Sequence, residues 1–382
     1  MDFDLSKEQE MLRKEVRKFA RKEVAPVAAE LDQREEFSPD LTRKMGDIGL
    51  FGMIVSDGYD GQDMDYLSYI LAVEELSRVD GSQAATVAAA NSLGIGPLYY
   101  FGTQEQKERY LPRLCRGEAL WGFGLTEPGA GSDAGGSQTT AVKDGNEWVI
   151  NGSKIFITNA ACEMTLGVTV QAITGTKENG KPEHTCFLVE QGTKGFQAVP
   201  MHGKMMWRAS NTAEIYLDNV RVPEENVLGK QGDGFHQMLQ TLDGGRLSIG
   251  AMGLGGAQGA YDKALHYAKN REQFGQPISK FQAVGFKLAD SAMEIECARN
   301  LLYKACWLRD SNRYFAKEAA MAKLYCSEVM SRVADRAVQI HGGYGLMQDY
   351  DVERFYRDQK LLEIGEGTSE VQRIVISRYI GC

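Results

Sequence analysis

Glu366 is the side chain of this 382-residue chain whose setting most suggests chemistry. Its carboxyl group lies between Gly365 and Gly367, and the hydroxyls of Thr368 and Ser369 follow at once. Glycines let the backbone turn and let a ligand approach closely. A carboxylate on such a turn, just before an apolar helical pattern, can serve as a general base. A plain Gly-Glu-Gly turn has the same local sequence, so other segments must decide between the two interpretations.

A second polar segment, residues 123–133, reads Phe-Gly-Leu-Thr-Glu-Pro-Gly-Ala-Gly-Ser-Asp. Its three glycines and small hydroxyls could offer unencumbered backbone amides to the polar edge of a ligand. The alternative is a glycine-rich connection between two strands. Taken alone, this segment leaves both interpretations open.

Two further glycine-rich runs resemble nucleotide loops but do not fit them. Gly175-Thr-Lys-Glu-Asn-Gly-Lys-Pro182 has phosphate-loop spacing, yet Pro182 stands where a hydroxyl must hold magnesium, so we predict a polar hairpin. Gly253-Leu-Gly-Gly-Ala-Gln-Gly259 has no strand before it. Its small residues predict close packing between helices or against a ligand. The five histidines are dispersed without metal-ligand spacing, and we predict no metal site.

Helices and strands must position these segments, and the spacing of hydrophobic residues that indicates such elements changes twice along the chain. From residue 7 to about 120 the spacing is helical, as at Leu12, Val16 and Phe19, and residues 121–229 read as short strands and turns. Helical spacing then returns, with one long helix predicted on Val284, Leu288, Ala292, Ile295 and Leu302. Helices, strands and helices in succession argue against a doubly wound sheet.

Composition narrows the class of protein. A hydrophobic content of 43% and a charged content of 25% are those of an ordinary globular protein of two or three domains. The net charge of -9 argues against nucleic-acid binding. Seven scattered cysteines without a Cys-x-x-Cys pair, and no secretory signal or membrane span, predict a soluble cytoplasmic protein with reduced thiols.

The two polar segments also have companions in a fixed order, and together they resemble the acyl-CoA dehydrogenase family. The resemblance covers residues 3–379. The companion motifs are Asn151-Gly-Ser-Lys-Ile-Phe-Ile-Thr-Asn159, Leu242-Asp-Gly-Gly-Arg246, Arg271-Glu-Gln-Phe-Gly-Gln-Pro-Ile278, Phe281-Gln282 and Gln339-Ile-His-Gly-Gly-Tyr-Gly345.

This resemblance implies an α+β multidomain fold. We expect an N-terminal helical domain over residues 1–120, a central β-barrel-like domain over 121–230, and a C-terminal four-helix bundle over 231–382 that carries Glu366. The family normally assembles as a homotetramer, with electron-transferring flavoprotein as the expected electron acceptor.

The resemblance also implies bound FAD between the middle and C-terminal domains. Motif matches assign one group of residues to the flavin and ribityl region, and a second group, across a subunit boundary, to the pyrophosphate and adenosine. The first group is Phe123, Leu125, Thr126, Ser132, Phe156, Ile157, Thr158, Thr368, Ser369 and Glu370. The second is Arg271, Phe274, Gln282, Gln339, Ile340, His341, Gly342 and Gly343.

In the family, the matched glutamate removes the α-proton of the acyl-CoA and FAD takes the β-hydride, which gives the trans-2-enoyl-CoA. The glutamate's amide and a ribityl hydroxyl stabilise the thioester oxygen. Ser132, Asp243, Arg246 and Gly367 match positions near the CoA thioester arm, although Arg246 fits equally well as a structural ion-pair partner. Some relatives place the glutamate at the position of Gly245, where this chain has no side chain.

Two positions bear on the acyl group that the resemblance implies. Many straight-chain relatives carry Tyr at the position of Gly365, so its absence predicts a wider site and a short, branched or alicyclic acyl-CoA. Trp207 would shorten the pocket if it faces the acyl chain. Ala84 or Ala85 stands where glutaryl-specific relatives carry the Arg that holds the distal carboxylate, which disfavours a dicarboxylyl substrate. The alternatives are an acyl-CoA oxidase and a non-catalytic flavoprotein scaffold.

Overall fold

The computed structural model describes residues 4–382, and it places helices at both ends of the chain around a central sheet. The α-helices are α1 (Lys7–Phe19), α2 (Ala25–Arg34), α3 (Pro39–Asp47), α4 (Tyr66–Ser77), α5 (Gly81–Ala89), α6 (Gly96–Phe101), α7 (Gln104–Cys115), α8 (Gly234–Asn270), α9 (Gln282–Asp310), α10 (Ala316–His341), α11 (Val352–Leu362) and α12 (Ser369–Ile380). The strands are β1 (Leu120–Gly124), β2 (Thr140–Asp144), β3 (Glu147–Thr158), β4 (Thr165–Thr176), β5 (Pro182–Glu190), β6 (Phe196–Pro200), β7 (Thr212–Pro223), β8 (Val227–Leu228), β9 (Glu272–Gln273) and β10 (Gln276–Pro277).

Local signals explain where the N-terminal helices begin. Ser6 and Thr103 form capping boxes with Gln9 and Gln106 at the starts of α1 and α7, so the first free N–H groups of each helix are satisfied. Pro26 does not end the first helix, because it occupies the opening turn of α2, where its missing N–H costs nothing. A π-helical segment, Ala20–Val24, joins α1 to α2 without a break.

Helix α4 forms the centre of the N-terminal helical layer. Every residue of α4 except Leu67 is buried, and its apolar residues join the core that also contains α8 and α10. Helices from both ends of the chain therefore share one apolar core. Helix α8 packs against α4 on one side of this core and against α10 and α9 in the C-terminal part.

The central sheet is folded over an apolar core of its own. Its strands follow the order β6-β7-β3-β2-β4-β5-β8, and β1 pairs in parallel with β4. Strands β2 and β4 are joined at one register pair, Thr140 with Ile173, so two halves face each other across the core. The Trp148 and Phe187 rings, 5.4 Å apart, meet between β3 and β5. The path is open, since β6 and β8 do not pair.

The expected polar hairpin is confirmed, because residues 177–181 connect the antiparallel strands β4 and β5. The helical interpretation of residues 253–259 is confirmed as well, since they lie within α8. A Cβ added at Gly253 would meet the Cys326 carbonyl of α10 at 2.8 Å, and one at Gly255 would meet the Glu74 carbonyl of α4 at 2.1 Å. Glycine thus lets α8 touch the backbones of two neighbouring helices.

The C-terminal part is helical, with α8 and α10 packed on each other and each in contact with α9 and α11, and with α12 packed on α10. The long helix predicted on Val284, Leu288, Ala292, Ile295 and Leu302 is confirmed as α9. Ala292 is exposed, and Ser291 takes the buried position, where its hydroxyl donates to the Lys287 carbonyl at 2.7 Å. A serine that bonds back to its own helix can occupy an apolar face. Between residues 4 and 382, no helix has the length and apolar character that a membrane crossing requires.

Candidate active site

Glu366 lies on the turn between α11 and α12, and the turn is held in an uncommon conformation. Its φ is +53°, in the left-handed region that non-glycine residues seldom occupy, and Gly367 follows at +89°. Such strain persists only where surrounding contacts enforce it, and it concentrates at functional sites.

Those contacts come from α10 and α12. The Lys323 ammonium donates to the Gly367 carbonyl at 2.7 Å, and the Gln372 amide donates to the carbonyls of Gly367 at 2.8 Å and Glu366 at 3.1 Å. The Ser327 hydroxyl donates to the Leu362 carbonyl at the end of α11. The turn is therefore fixed through its backbone, which leaves the Glu366 side chain free to act.

The Glu366 carboxylate faces α8. Its Oε2 is buried and has no hydrogen-bond partner in the described part of the chain. A Cβ added at Gly245 would lie 1.8 Å from Oε2, so only glycine at this position leaves the carboxylate its place. Gly245 therefore offers no competing side chain, as expected, and any side chain there would also collide with the Glu366 carboxylate.

Burial raises the pKa of Glu366 to about 7, against the opposing charges of Lys323 and Arg246. A base is most effective when its pKa lies near the working pH. The amide N–H of Glu366 donates to no other described residue, so a hydrogen-bond donor stands free beside the carboxylate.

A cavity of about 630 Å³ lies between the N-terminal helices, α8 and the connection from α9 to α10, and the 365–367 turn does not line it. Asp243 and Gly244 line it, next to Gly245 in sequence. So does Arg309, whose guanidinium lies 3.6 Å above the Tyr66 ring. The polar residues Asn91, Ser92, Tyr100, Arg313 and Tyr314 also line this cavity.

The residues expected at the CoA arm are only partly brought together. Asp243 and Arg246 form an ion pair on one turn of α8, and Arg246 is buried. Arg246 therefore has the structural partner that its alternative interpretation required, while its charge still reaches Glu366. Gly367 lies at the carboxylate turn, whereas Ser132 lies on the exposed surface of the 123–133 loop.

That loop is anchored by a buried ion pair that its sequence did not reveal. Lys154 of β3 donates to Glu127 at 2.7 Å, and the two side chains are 0% and 8% exposed. Glu127 also accepts from the Thr139 hydroxyl and from the amides of Gln138 and Thr139. Burial would raise the pKa of Glu127, but these hydrogen bonds outweigh it and lower the pKa.

Around the loop, Phe123 and Leu125 are buried on β1 and just beyond it, and Thr126 is half-buried. Phe156 is 62% exposed and has a φ of +62°, so a strained backbone presents its ring outward. Ile157 turns into the sheet core, so it could meet a ligand only through its backbone. The half-buried Thr158 follows it.

The Thr368 hydroxyl caps α12 by accepting from the Val371 amide, and the exposed Glu370 lies in the first turn of that helix. The Ser369 hydroxyl is buried without a hydrogen-bond partner in the described chain. A buried hydroxyl without a partner suggests a ligand that completes it.

The second group of expected cofactor residues gathers at a different place, the far end of α8 and α10. A cavity of about 630 Å³ there is lined by Arg271, Ile340, His341, Gly342 and Gly343. The His341 ring stacks on Tyr267 with centroids 4.2 Å apart, and burial lowers its pKa. Gln339 is exposed beside this cavity, Phe274 lies at the tip of the β9–β10 hairpin with 93% of its surface exposed, and Gln282 begins α9.

These features fit FAD. The Arg271 guanidinium lines the cavity with a fixed positive charge that could meet a pyrophosphate, and Cβ atoms added at Gly342 and Gly343 would meet nothing within 4 Å. The outward ring of Phe156 offers an apolar face, and the unpartnered Ser369 hydroxyl offers a hydrogen bond, to a bound flavin.

Trp207 does not line the cavity that Asp243 and Gly244 border. Its backbone N–H donates to Asp358 of α11 at 2.8 Å, and its indole would stand 2.9 Å from a Cβ added at Gly81. The ring therefore packs at the junction of the N-terminal, central and C-terminal parts. A role for Trp207 in shortening that cavity does not follow from this placement.

Comparison with known proteins covers nearly the whole chain. Three sequence models of acyl-CoA dehydrogenase match: the N-terminal domain over residues 6–118, the middle domain over 122–220 and the C-terminal domain over 232–381. A probable acyl-CoA dehydrogenase of Bacillus subtilis is 54% identical, with all of both chains covered.

Two solved structures share the fold over all of both chains. One is butyryl-CoA dehydrogenase from Megasphaera elsdenii, with 43% identity and a TM-score of 0.96. The other belongs to work on the electron transferring flavoprotein of Acidaminococcus fermentans and flavin-based electron bifurcation, with 45% identity and a TM-score of 0.96.

Proposed function

Because this chain belongs to the acyl-CoA dehydrogenase family, we propose that Glu366 is the base that takes the α-proton of its substrate. Membership makes the chain a FAD-dependent oxidoreductase that acts on acyl-CoA thioesters. The observation that carries the proposal is the Glu366 carboxyl group, whose Oε2 is buried without a partner in the described chain, on a strained turn that faces Gly245 of α8.

The α-proton of a thioester is too weakly acidic for an ordinary carboxylate, so the protein must assist. Burial raises the basicity of Glu366, and its pKa of about 7 keeps a large share ionised at neutral pH. The free Glu366 amide can donate to the thioester oxygen as charge develops there. FAD, when bound, supplies the acceptor for the hydride that leaves the β-carbon.

The substitution Glu366→Gln tests the base. The amide is nearly the same size but cannot accept the proton, so flavin reduction by acyl-CoA should slow by about 10²–10⁴-fold or more, with FAD content unchanged. Glu328→Gln is the matched control, since Glu328 lies nearby on α10 and pairs with Arg373 at the surface. Wild-type reduction rates in Glu366→Gln would place the base elsewhere.

We also propose a short, branched or alicyclic acyl group, in keeping with the butyryl-CoA activity named for the Megasphaera relative. Gly365 supports this, since it places no ring beside the base. A Cβ added there would meet Leu361 at 3.4–3.7 Å, so Gly365→Tyr is sterically acceptable at its first atom.

The substrate proposal is tested by kcat/KM for butyryl-, isobutyryl-, cyclohexanecarboxyl- and palmitoyl-CoA. Gly365→Tyr should penalise the branched and cyclic thioesters more than butyryl-CoA, by about 1–3 kcal/mol of discrimination. Equal losses across the four thioesters, or a wild-type preference for palmitoyl-CoA, would reject it.

We further propose a homotetramer that completes each FAD site across a subunit boundary. Phe274 at the β9–β10 tip and Phe286 and Met293 on α9 are 93%, 63% and 61% exposed, and exposed apolar side chains of this kind mark interfaces. Light scattering should give four chains per particle, and a monomer that retains FAD would contradict it.

Electron-transferring flavoprotein is the proposed electron acceptor, supported by the relative studied with such a protein. Substrate-reduced enzyme should be reoxidised faster by electron-transferring flavoprotein than by oxygen, and the reverse order would favour the oxidase alternative. A cytoplasmic location stays a prediction from the scattered cysteines.

A further inference from the structure

Lys323 is a buried lysine that the reaction outlined above does not use. It lies on the inner stripe of α10 with Ala319, Cys326 and Ser327, and it is 0% exposed. Burying an ammonium group is costly unless it is paired and hydrogen-bonded. Its position therefore requires a compensating interaction.

That interaction is with the turn that carries Glu366. The ammonium donates to the Gly367 carbonyl at 2.7 Å, the shortest of the three hydrogen bonds that hold the carbonyls of Glu366 and Gly367. Lys323 thus reaches from the bundle interior to the residue that follows the base.

Charged and titratable groups surround Glu366 and Lys323 on several elements. Lys323 is on α10, Arg246 on α8 and Tyr69 on α4. Glu363, which follows α11, and Glu370 on α12 also face Lys323. The positive charge of Lys323 opposes the raised pKa of Glu366 more strongly than that of Arg246 does. Arg246 is already paired with Asp243, whereas Lys323 has no carboxylate ion-pair partner within 4.0 Å in the described chain.

We propose that Lys323 is a positioning residue for the base: its hydrogen bond to Gly367 fixes the turn, and its charge stabilises the Glu366 carboxylate. This inference rests on the proposed function of Glu366. It separates two effects of one side chain, a hydrogen bond that sets geometry and a charge that sets ionisation.

The charge has a definite sign of effect. A cation beside a carboxyl group lowers the pKa of that group, so a neutral side chain at position 323 should raise the pKa of Glu366 above its present value of about 7. Less of the base is then ionised at neutral pH. A purely structural lysine would change stability without moving this midpoint.

Three substitutions divide the two effects. Lys323→Met removes both charge and donor, Lys323→Gln removes the charge but keeps an amide donor, and Lys323→Arg keeps both. Lys204→Met is the control, because Lys204 is also a mostly buried lysine that donates to backbone carbonyls, and its charged neighbours are Glu35 and Asp358.

The first measurement is the pH dependence of flavin reduction by butyryl-CoA in the FAD-loaded protein. The midpoint in Lys323→Met and Lys323→Gln should move up by about one unit, a loss of about tenfold below the midpoint, while Lys323→Arg and Lys204→Met keep the wild-type midpoint. Lys323→Gln should retain more of the limiting rate than Lys323→Met, because its donor can still hold the turn.

The second measurement needs no turnover. Infrared difference titration of the FAD-loaded protein without substrate, with Glu366→Gln as the reference, reports the Glu366 carboxyl directly. An upward shift in Lys323→Gln supports the inference. A wild-type midpoint in both neutral variants overturns the inference about Lys323, even if Glu366→Gln is inactive. A fully active Glu366→Gln overturns the proposed base instead. In that case the infrared midpoint alone tests whether the Lys323 charge acts on Glu366. If Lys323→Met does not fold, Lys323→Gln decides alone.

Discussion

Gly245→Ala should disable the site while leaving the helix that carries it intact. A methyl group at position 245 would lie 1.8 Å from Glu366 Oε2 and 2.7 Å from its Cδ, far inside van der Waals contact. Either the carboxylate must rotate away or the 365–367 turn must shift. The substitution therefore displaces the base by roughly one ångström or more without changing any functional group.

The size of the effect can be estimated for stability and for rate separately. Alanine in a helix interior is favoured over glycine by about 0.5–1 kcal/mol, and overpacking costs about 1–3 kcal/mol, so the free energy of unfolding should fall by at most about 2.5 kcal/mol. A misplacement of about 1 Å can cost about 10² in rate, which is about 2.7 kcal/mol in the activation free energy.

The assay is the single-turnover rate of flavin reduction by butyryl-CoA, measured together with FAD content and unfolding free energy. Gly285→Ala on α9 is the matched control, because its added methyl would meet its nearest atom at 3.7 Å. It should keep the wild-type rate. A wild-type rate in Gly245→Ala, with the fold intact, would refute the claim that the Glu366 carboxylate works from its place against α8.

Three further predictions concern stability and cofactor retention. Burial raises the pKa of Asp358 to about 7 from the ordinary value of 3.8, so its contribution to stability is greatest below pH 4 and is lost as the pH rises through 7. Asp358→Asn keeps an acceptor for the Trp207 amide. In denaturant titrations it should raise the unfolding free energy by up to about 4 kcal/mol at pH 8 and by little at pH 4. Lys154→Met leaves the buried Glu127 carboxylate without its ion-pair partner and should lower the unfolding free energy by about 3–5 kcal/mol at pH 7. An unchanged denaturation midpoint would show that the pair contributes nothing to stability. Arg271→Ala removes the fixed charge from the second cavity and should weaken FAD binding by about 1.5–3 kcal/mol, read as loss of yellow colour on dilution, and undiminished retention would remove Arg271 from the site.

The order of helices and strands could be predicted from sequence because period and turn chemistry are local. The hairpin at residues 177–181 and the helix over residues 253–259 follow from Pro182 and from the absence of a preceding strand. The burial of Ser291 beside the exposed Ala292 could not be predicted, because hydrophobicity alone cannot show that Ser291 satisfies its hydroxyl within the helix. The open path of the central sheet depends on pairings between distant strands, which no local pattern reports.

At the site, the sequence identified the residues with unusual neighbours and missed those that support them. Glu366 stood out because glycines flank it, but Lys323 looked like any helix lysine. The available signal was its spacing, four residues after Ala319 and three before Cys326, which places it on the apolar stripe of α10. Glu127 and Lys154 were inside recognised motifs, yet their pairing joins positions 27 residues apart and needed the fold to be seen.

The contacts of the Glu366 turn have a consequence for how the site forms during folding. They reach α8 at Gly245 and α10 at Lys323, which are far from Glu366 in sequence, whereas the bond from Gln372 is local. Contacts of long sequence separation form late. The carboxylate should therefore be among the last groups ordered during folding. On refolding, activity should return only after the bulk of the helices and the sheet has formed.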